Sequence, residues 1–227
     1  MSDNLIEARG VVARGGDLSV ENLIKYYQQG VFPYPLDAKE DSEILWCQPA
    51  FRGVLTLGTM HVSRSLQRFI HKKPFDVTFN MAFEQVICGC AEAPREDPWM
   101  SPAIIAGYTN LHRAGYAYSV ECWQNGELAG GLYGTYIDGI ATLESMFYIK
   151  SNASKVALVY NVQMLLANDI TWMDTQVVTP ITESFGSRYI PDKKFQTLFT
   201  AARKNYRQNG SRQLDFNLPP RGENRES

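Results

Sequence analysis

Residues 116–148 read YAYSVECWQNGELAGGLYGTYIDGIATLESMFY, and this stretch decides the fold. Three apolar runs, Tyr116–Trp123, Glu127–Tyr136 and Ile140–Tyr148, are separated by Asn125-Gly126 and Asp138-Gly139. Both pairs tolerate the left-handed dihedrals that a two-residue hairpin turn demands. The reading is an antiparallel meander of three strands.

On the N-terminal side, Ser101-Pro102 starts a helix, a cap followed by proline at the first position, and Gly115 closes it. Before it lies a turn-rich break, Pro94–Pro98. Asn80 reads as the cap of a helix with Phe83, Val86 and Ile87 inward. Phe75–Phe79 and Val54–Leu57 read as strands, and Ser63–Ile70 as a short basic helix. Further back, Ile44–Cys47 is a short buried strand and Val31–Pro35 an extended aromatic segment that proline keeps out of a helix. Ser19 caps Val20–Gln29, with Gly30 ending it. On the C-terminal side, Ser151 opens a helix to about Ala167. Ile170–Val177 is a strand, Asp192–Arg207 a terminal helix, and the tail from residue 209 reads as disordered. The class is α+β. The expected division is a small N-terminal α/β domain over 1–60, a main domain over 61–208 and a tail over 209–227.

The chain has 227 residues, 44% hydrophobic and 20% charged, enough to bury a core without staples. It contains no apolar run near the roughly 18 residues that span a membrane, and Met1–Gly10 is polar. The cytoplasm is the expected location. Four cysteines and three histidines are scattered, with only Cys88 and Cys90 close, so no metal site is expected. Net charge is −2, but Lys193–Arg212 carries six basic residues and no carboxylate, and Arg64, Arg68, Lys72 and Lys73 form a second cluster. Such patches suit phosphate; a solvated face explains them equally.

Asp174 and Gln176 lie two apart on the last strand and so share a face. A carboxylate and a carboxamide in an apolar run are costly to bury without partners. Glu144, in Leu143-Glu144-Ser145-Met146-Phe147, is a second charge in an apolar strand. Each of these also suits an outward-facing or satisfied structural residue. His112 shares a helical stripe with Tyr108 and reads as core or cap. No serine–histidine–aspartate arrangement and no glycine-rich phosphate loop is visible.

Taken together, the segments resemble the leucyl/phenylalanyl-tRNA–protein transferase family. The resemblance rests on Gly-Gly-Asp-Leu-Ser at 15–19, Gly30–Pro33, Ile44–Trp46, His61–Ser65, Trp99, Tyr108 with Leu111-His112, and Ser119–Glu121. It continues through Gly130–Gly134, Glu144–Phe147, Asn152–Lys155, Asp174–Gln176 and Ser184–Gly186, in the family's order over roughly residues 10–200. It implies an acetyltransferase-like main domain with an antiparallel-rich sheet. It also implies transfer of Leu, Phe or Met from tRNA to proteins beginning with Arg or Lys, marking them for degradation, with no cofactor because the ester arrives activated. Asp174 and Gln176 would be the catalytic pair and Glu144 would serve the acceptor. Tyr34, Trp46, Trp99, Leu132, Ser154, Leu158, Asn161 and Leu165 would receive the terminal adenosine and aminoacyl group. Arg64, Arg68, Lys72, Lys73, Lys155, Lys193 and Lys194 would meet the tRNA.

Departures cluster near that pocket. The family usually has Trp at position 34, Met at 132 and bulky aromatics at 161 and 165. Its His-Ala-His is here Tyr116–Tyr118, a second Trp is Cys47, and a His is Ile181. A roomier or more polar aminoacyl pocket follows, or Asn161 is satisfied locally and selectivity survives. A small-molecule amine as acceptor would use the same chemistry. An acyl-CoA N-acyltransferase is the enzymatic rival, but Lys150–Ser154 lacks its glycine-rich pyrophosphate turn. A non-enzymatic tRNA- or degron-binding module is the other.

Overall fold

The computed structural model describes residues 9–39, 41–94 and 99–217. The chain start before residue 9, most of the 94–98 break and the tail from 218 lie outside them. Two sheets organise the chain. The smaller is antiparallel, β1 (Val11–Arg14), β3 (Ile44–Cys47) and β2 (Phe32–Pro35), with helix α1 (Val20–Tyr27) beside it. The larger has seven strands in the order β10-β4-β9-β8-β7-β6-β5. Its members are β4 (Phe51–Thr56), β5 (Asp76–Phe79), β6 (Ala117–Gln124), β7 (Glu127–Ile137), β8 (Ile140–Tyr148), β9 (Trp172–Gln176) and β10 (Arg188–Pro191). Helices α2 (Arg64–His71), α3 (Phe83–Glu92), α4 (Pro102–Arg113), α5 (Ala153–Ala167), α6 (Pro180–Ser184) and α7 (Asp192–Gln208) complete the order.

The meander β6–β7–β8 forms as its turns require. Asn125 and Gly126 have φ of 55° and 79°, Asp138 and Gly139 of 50° and 85°. Ser101 caps α4 through its side chain, and Ser19 does so for α1. Neighbouring strands of the large sheet run antiparallel except β8 and β9, which α5 connects as a parallel crossover. These two strands share one register pair, Thr142 with Asp174. Beyond it the ladder makes no further register pair among the described residues.

The sheet separates two cores. One face packs Leu132, Leu143, Leu55 and Met173 against Val156, Leu158, Val162 and Leu165 of α5. The other unites Val86, Ile104, Tyr108, Tyr133 and Phe147 with Leu23, Leu45 and Trp46 of the N-terminal unit in one continuous cluster. Helix α7 packs Phe195 and Phe199 against Val54 of β4 and Ile140 of β8. Arg203 Nη2 donates to Asp138 Oδ2 at 2.7 Å and Nη1 to the carbonyl of Gln28, tying hairpin β7–β8 to α1.

Several expectations change. Phe51–Thr56 pairs with β9 and β10 in the large sheet, so the N-terminal unit ends near residue 50, not 60. Asn80 is not a helix cap: at φ 58° its Oδ1 accepts from Ser119 N at 3.0 Å, and Ala82 takes the N-cap position. Helix α5 begins at Ala153 after a left-handed Asn152, so Ser151 does not cap it. Tail residues 209–217 are not loose. Asn168 and Asp215 exchange bonds at 2.7 and 2.9 Å, and Phe216 packs on Phe79 and Tyr118. Strands β1 and β10 and helix α6 carry too little pattern to be seen in sequence.

Gly126 and Gly139 offer a controlled comparison of the two hairpins. An added Cβ meets nothing within 4 Å at Gly126, but lies 2.5 Å from Tyr206 Cβ of α7 at Gly139. Alanine at either site carries a left-handed penalty of about 1–2 kcal/mol. Gly139→Ala is expected to cost about 1–3 kcal/mol more than Gly126→Ala, because it pushes against a packed helix. Urea unfolding of both variants measures the difference; equal losses would mean that α7 does not seat on this hairpin.

Candidate active site

Past the Thr142–Asp174 pair, period-two alternation carries Thr142 on to Glu144 and Asp174 on to Gln176. The last two side chains meet across the gap: Gln176 Nε2 donates to Glu144 Oε2 at 3.0 Å. Both line a cavity of about 640 Å³ with Tyr34, Trp99, Arg9 and Thr175. Tyr34 and Trp99 stack with ring centroids 5.7 Å apart, and the Arg9 guanidinium lies 3.5 Å over the Tyr34 ring. Phe51, Val177 and Tyr189 stand exposed at its edge. A larger groove, about 800 Å³, runs between α7 and the start of β9; Asn168, Asp169, Asn205 and Arg212 line it, and neither Glu144 nor Gln176 reaches it. Convergent polar groups in an aromatic cleft mark the first as the functional candidate.

Asp174 stands behind this floor. Its carboxylate is gripped by Arg52: Nε lies 2.9 and 3.0 Å from the two oxygens and Nη2 2.7 Å from Oδ2. Both residues are almost fully buried, at 2% and 1% exposure. Arg52 also donates from Nη1 to Gly30 O at 3.0 Å and lies between the rings of Phe32 and Phe195. Asp174 Oδ1 accepts the backbone N–H of Gln176 at 2.8 Å. It therefore holds the Gln176 main chain rather than its carboxamide. That main chain is left-handed, φ 54°, an arrangement costing about 1 kcal/mol or more in a non-glycine residue and typical of sites where the surroundings over-determine the backbone. A register shift between Gly53 and Val54 accommodates it across β4.

Glu144 has a different environment. Tyr27 donates to Oε1 at 2.7 Å, Tyr108 to Oε2 at 3.2 Å, and Thr135 lies 3.5 Å from Oε1. The two tyrosine hydroxyls are themselves 2.5 Å apart. Among the described residues no cation pairs with it. Burial lifts the Glu144 carboxyl to about 7; the Asp174 charge adds to this, while bonds from Tyr27, Gln176 and Tyr108 oppose it. Burial, then the Glu144 charge, raises both tyrosines well above their ordinary range.

The structure thus brings Tyr34, Trp99, Glu144 and Gln176 together and sets Asp174 just behind. Trp46 lies in the N-terminal core, stacked on Tyr26 at 3.7 Å and bonded to Gly15 O. Leu132, Leu158, Asn161 and Leu165 are covered on the α5 face, and Ser154 is buried there too. Asn161 Nδ2 reaches Met173 Sδ at 3.4 Å, while its Oδ1 is buried without a hydrogen-bond partner among the described residues. Arg64, Arg68, Lys72, Lys73, Lys193 and Lys194 are exposed and Lys155 half-buried. Arg52, Arg9 and the tyrosine pair escaped the sequence reading. A tyrosine rather than phenylalanine on each buried helical stripe was the available signal, since a buried hydroxyl needs a partner.

Two family models match this arrangement in succession and define its class as aminoacyltransferase. Leucyl/phenylalanyl-tRNA protein transferase matches residues 54–200, and the N-terminal domain of the same enzyme matches residues 16–50. Leucyl/phenylalanyl-tRNA–protein transferases of Syntrophobacter fumaroxidans and Nitrosomonas eutropha are 44% and 41% identical to this chain. The first alignment covers 86% of this chain and 83% of the relative, the second 95% and 92%. The chain belongs to the leucyl/phenylalanyl-tRNA–protein transferase family. A solved structure of a functionally unknown conserved protein from Staphylococcus epidermidis aligns over 80% of this chain and 68% of its own, at 9% identity and TM-score 0.41. No helix among the described residues is long and apolar enough to cross a membrane.

Arg52→Ala strands a buried carboxylate and is expected to cost about 3–5 kcal/mol in urea unfolding. A loss below about 1 kcal/mol would show that Asp174 finds another partner or water. Glu144 supplies a pH test of opposite character. Its carboxyl is raised, so the folded chain keeps a proton that the unfolded chain releases; stability is expected to fall as pH rises from about 4.5 through about 7. Glu144→Gln should flatten that part of the profile by about 1–3 kcal/mol. Parallel wild-type and variant profiles would rule out the raised carboxyl.

Proposed function

We propose that this chain moves Leu, Phe or Met from aminoacyl-tRNA to the α-amine of proteins with N-terminal Arg or Lys, tagging them for degradation in the cytoplasm. The observation that carries this reading is the Gln176–Glu144 contact on the floor of an aromatic-walled cavity, at the point where two parallel strands part. Parting strands inside a sheet give an acyl donor a way in, which supports the acetyltransferase-like reading of residues beyond 50.

The terminal adenosine fits against Tyr34 and Trp99, where a base can stack. Trp46 supports that wall from the core behind. Gln176 presents its carboxamide to the ester carbonyl and steadies the charge that develops on oxygen. Asp174 is a positioning residue: fixed by Arg52, it holds the Gln176 backbone in the turn that aims the carboxamide. Glu144, unpaired with any cation among the described residues, attracts the acceptor's ammonium or basic side chain. Orientation of amine against ester supplies several kcal/mol, and the ester needs no further activation. Arg64, Arg68, Lys72, Lys73, Lys155, Lys193 and Lys194 offer positive charge to the tRNA backbone. Leu132, Ser154, Leu158, Asn161 and Leu165 lie behind the parted strands, where the aminoacyl side chain would press, and Asn161 Oδ1 gives that layer a polar point.

Incubation with labelled aminoacyl-tRNAs and peptides beginning with Lys or Arg, followed by mass spectrometry, tests this. The expected product is the peptide carrying one added aminoacyl group. Gln176→Ala is expected to lower turnover ~10²-fold or more with little change in tRNA affinity. Absence of transfer from any member of a full aminoacyl-tRNA panel would overturn the reading. Transfer only to small amines, or of a polar amino acid, would instead redraw acceptor or donor.

A further inference from the structure

We infer that Glu144, together with the hydroxyls of Tyr27 and Tyr108, is the proton carrier of the transfer reaction. This rests on the aminoacyl-transfer reading above and assigns a role that the family match leaves open.

The cavity contains a short supply of bases. Among its described lining residues Glu144 alone is a carboxylate, and none is a histidine. Asp174 is spent on Arg52 and on the Gln176 backbone. The Gln176 carboxamide has no useful basicity at neutral pH. His112 is occupied elsewhere, with Nδ1 at 2.9 Å from Ala117 O and its ring stacked on Phe83.

Hydrogen counting strengthens the assignment. Tyr27 OH, Tyr108 OH and the Glu144 carboxylate make three mutual contacts, at 2.5, 2.7 and 3.2 Å. Two hydroxyls bring only two hydrogens. The third contact is completed when Glu144 takes up a proton and donates it to one hydroxyl, which then turns its own hydrogen to the other. The cluster is thus built to hold one proton more than its ionised form, and it does so beside Gln176 on the cavity floor. Other groups face Glu144 as well: Thr135 from β7, Gln176 and Asp174 from β9, and Arg9, Tyr34 and Tyr189 around the cavity. The Arg52 pairing blunts the Asp174 charge, so the negative field does not forbid ionisation. The elevation of the Glu144 carboxyl to about 7 places both forms within reach at neutral pH.

The step balances without any further reactant. The neutral amine attacks the ester carbonyl carbon, and a C–N bond forms as one N–H proton passes to Glu144. The tetrahedral adduct then breaks its C–O bond to the terminal ribose, and Glu144 returns that proton to the departing oxygen. One hydrogen stays on the new amide, the tRNA leaves with a free hydroxyl, and the carboxylate is restored.

The test is single-turnover transfer to a Lys-initiated peptide as a function of pH, with wild type, Glu144→Gln, Tyr27→Phe and Tyr108→Phe. Wild type is expected to show a rising limb near 7 in the chemical step, distinct from the acceptor amine's own ionisation near 8. Glu144→Gln should abolish the lower limb and slow the step ~10²–10⁴-fold while tRNA binding persists. Tyr27→Phe removes a donor to the charged carboxylate and should move the limb upward in pH. That variant keeps the inference falsifiable should Glu144→Gln fold poorly. An unchanged limb in Tyr27→Phe and Tyr108→Phe, or a Glu144→Gln effect confined to peptide KM, would reduce Glu144 to an acceptor-binding group and overturn the inference. Inactive wild type would instead be a failure of the transferase reading.

Discussion

The Arg52–Asp174 pair is the constraint on which the site depends. A carboxylate and a guanidinium this deeply buried are each expensive to desolvate, and the pairing is tolerable because nearly every polar atom is engaged. The fork joins adjacent strands β4 and β9, reaches the carbonyl of Gly30 and is held between Phe32 and Phe195. One side chain therefore connects the N-terminal unit, the large sheet and the last helix. What reaches the cavity from this arrangement is indirect: a left-handed Gln176 with its carboxamide aimed at Glu144.

The site holds two carboxylates with opposite treatment. Asp174 is neutralised by a full ionic partner and committed to geometry. Glu144 is surrounded by neutral donors, meets no cationic partner among the described residues and lines the cavity where a ligand can meet it. Giving two carboxylates different partners in this way is how one fold divides holding from chemistry. The parting of β8 and β9 after a single register pair makes the division possible, because an unbroken ladder would close the gap between Glu144 and Gln176.

Much of the frame was legible in the sequence, for local reasons. Asn125-Gly126 and Asp138-Gly139 specify their turns without outside help, and Ser101-Pro102 specifies a helix start in the same way. The polar residues of the candidate site, Glu144, Asp174 and Gln176, also stood out, as charges and an amide inside apolar runs. Long-range pairings were not legible. Arg52 and Asp174 are separated by 122 positions, and nothing beside Arg52 announces its partner. Asn80 reads as a cap, but from the bend after β5 its side chain serves Ser119 on β6. β10 is a four-residue edge strand, too short to show alternation. The tyrosines of α1 and α4 looked like ordinary core, since periodicity detects burial but not what a hydroxyl meets.

Glu144 takes one hydroxyl from α1 of the N-terminal unit and another from α4, while the cavity wall draws Tyr34 from the first and Trp99 from the region before the second. Neither portion of the polypeptide possesses the centre by itself. A fragment retaining the entire seven-stranded sheet would still carry its glutamate and glutamine, yet have half a wall and half of the hydroxyl pair. An intact cavity is accordingly a report of completed assembly, and under the proposed function a chain whose two portions have come apart is silent before it is denatured.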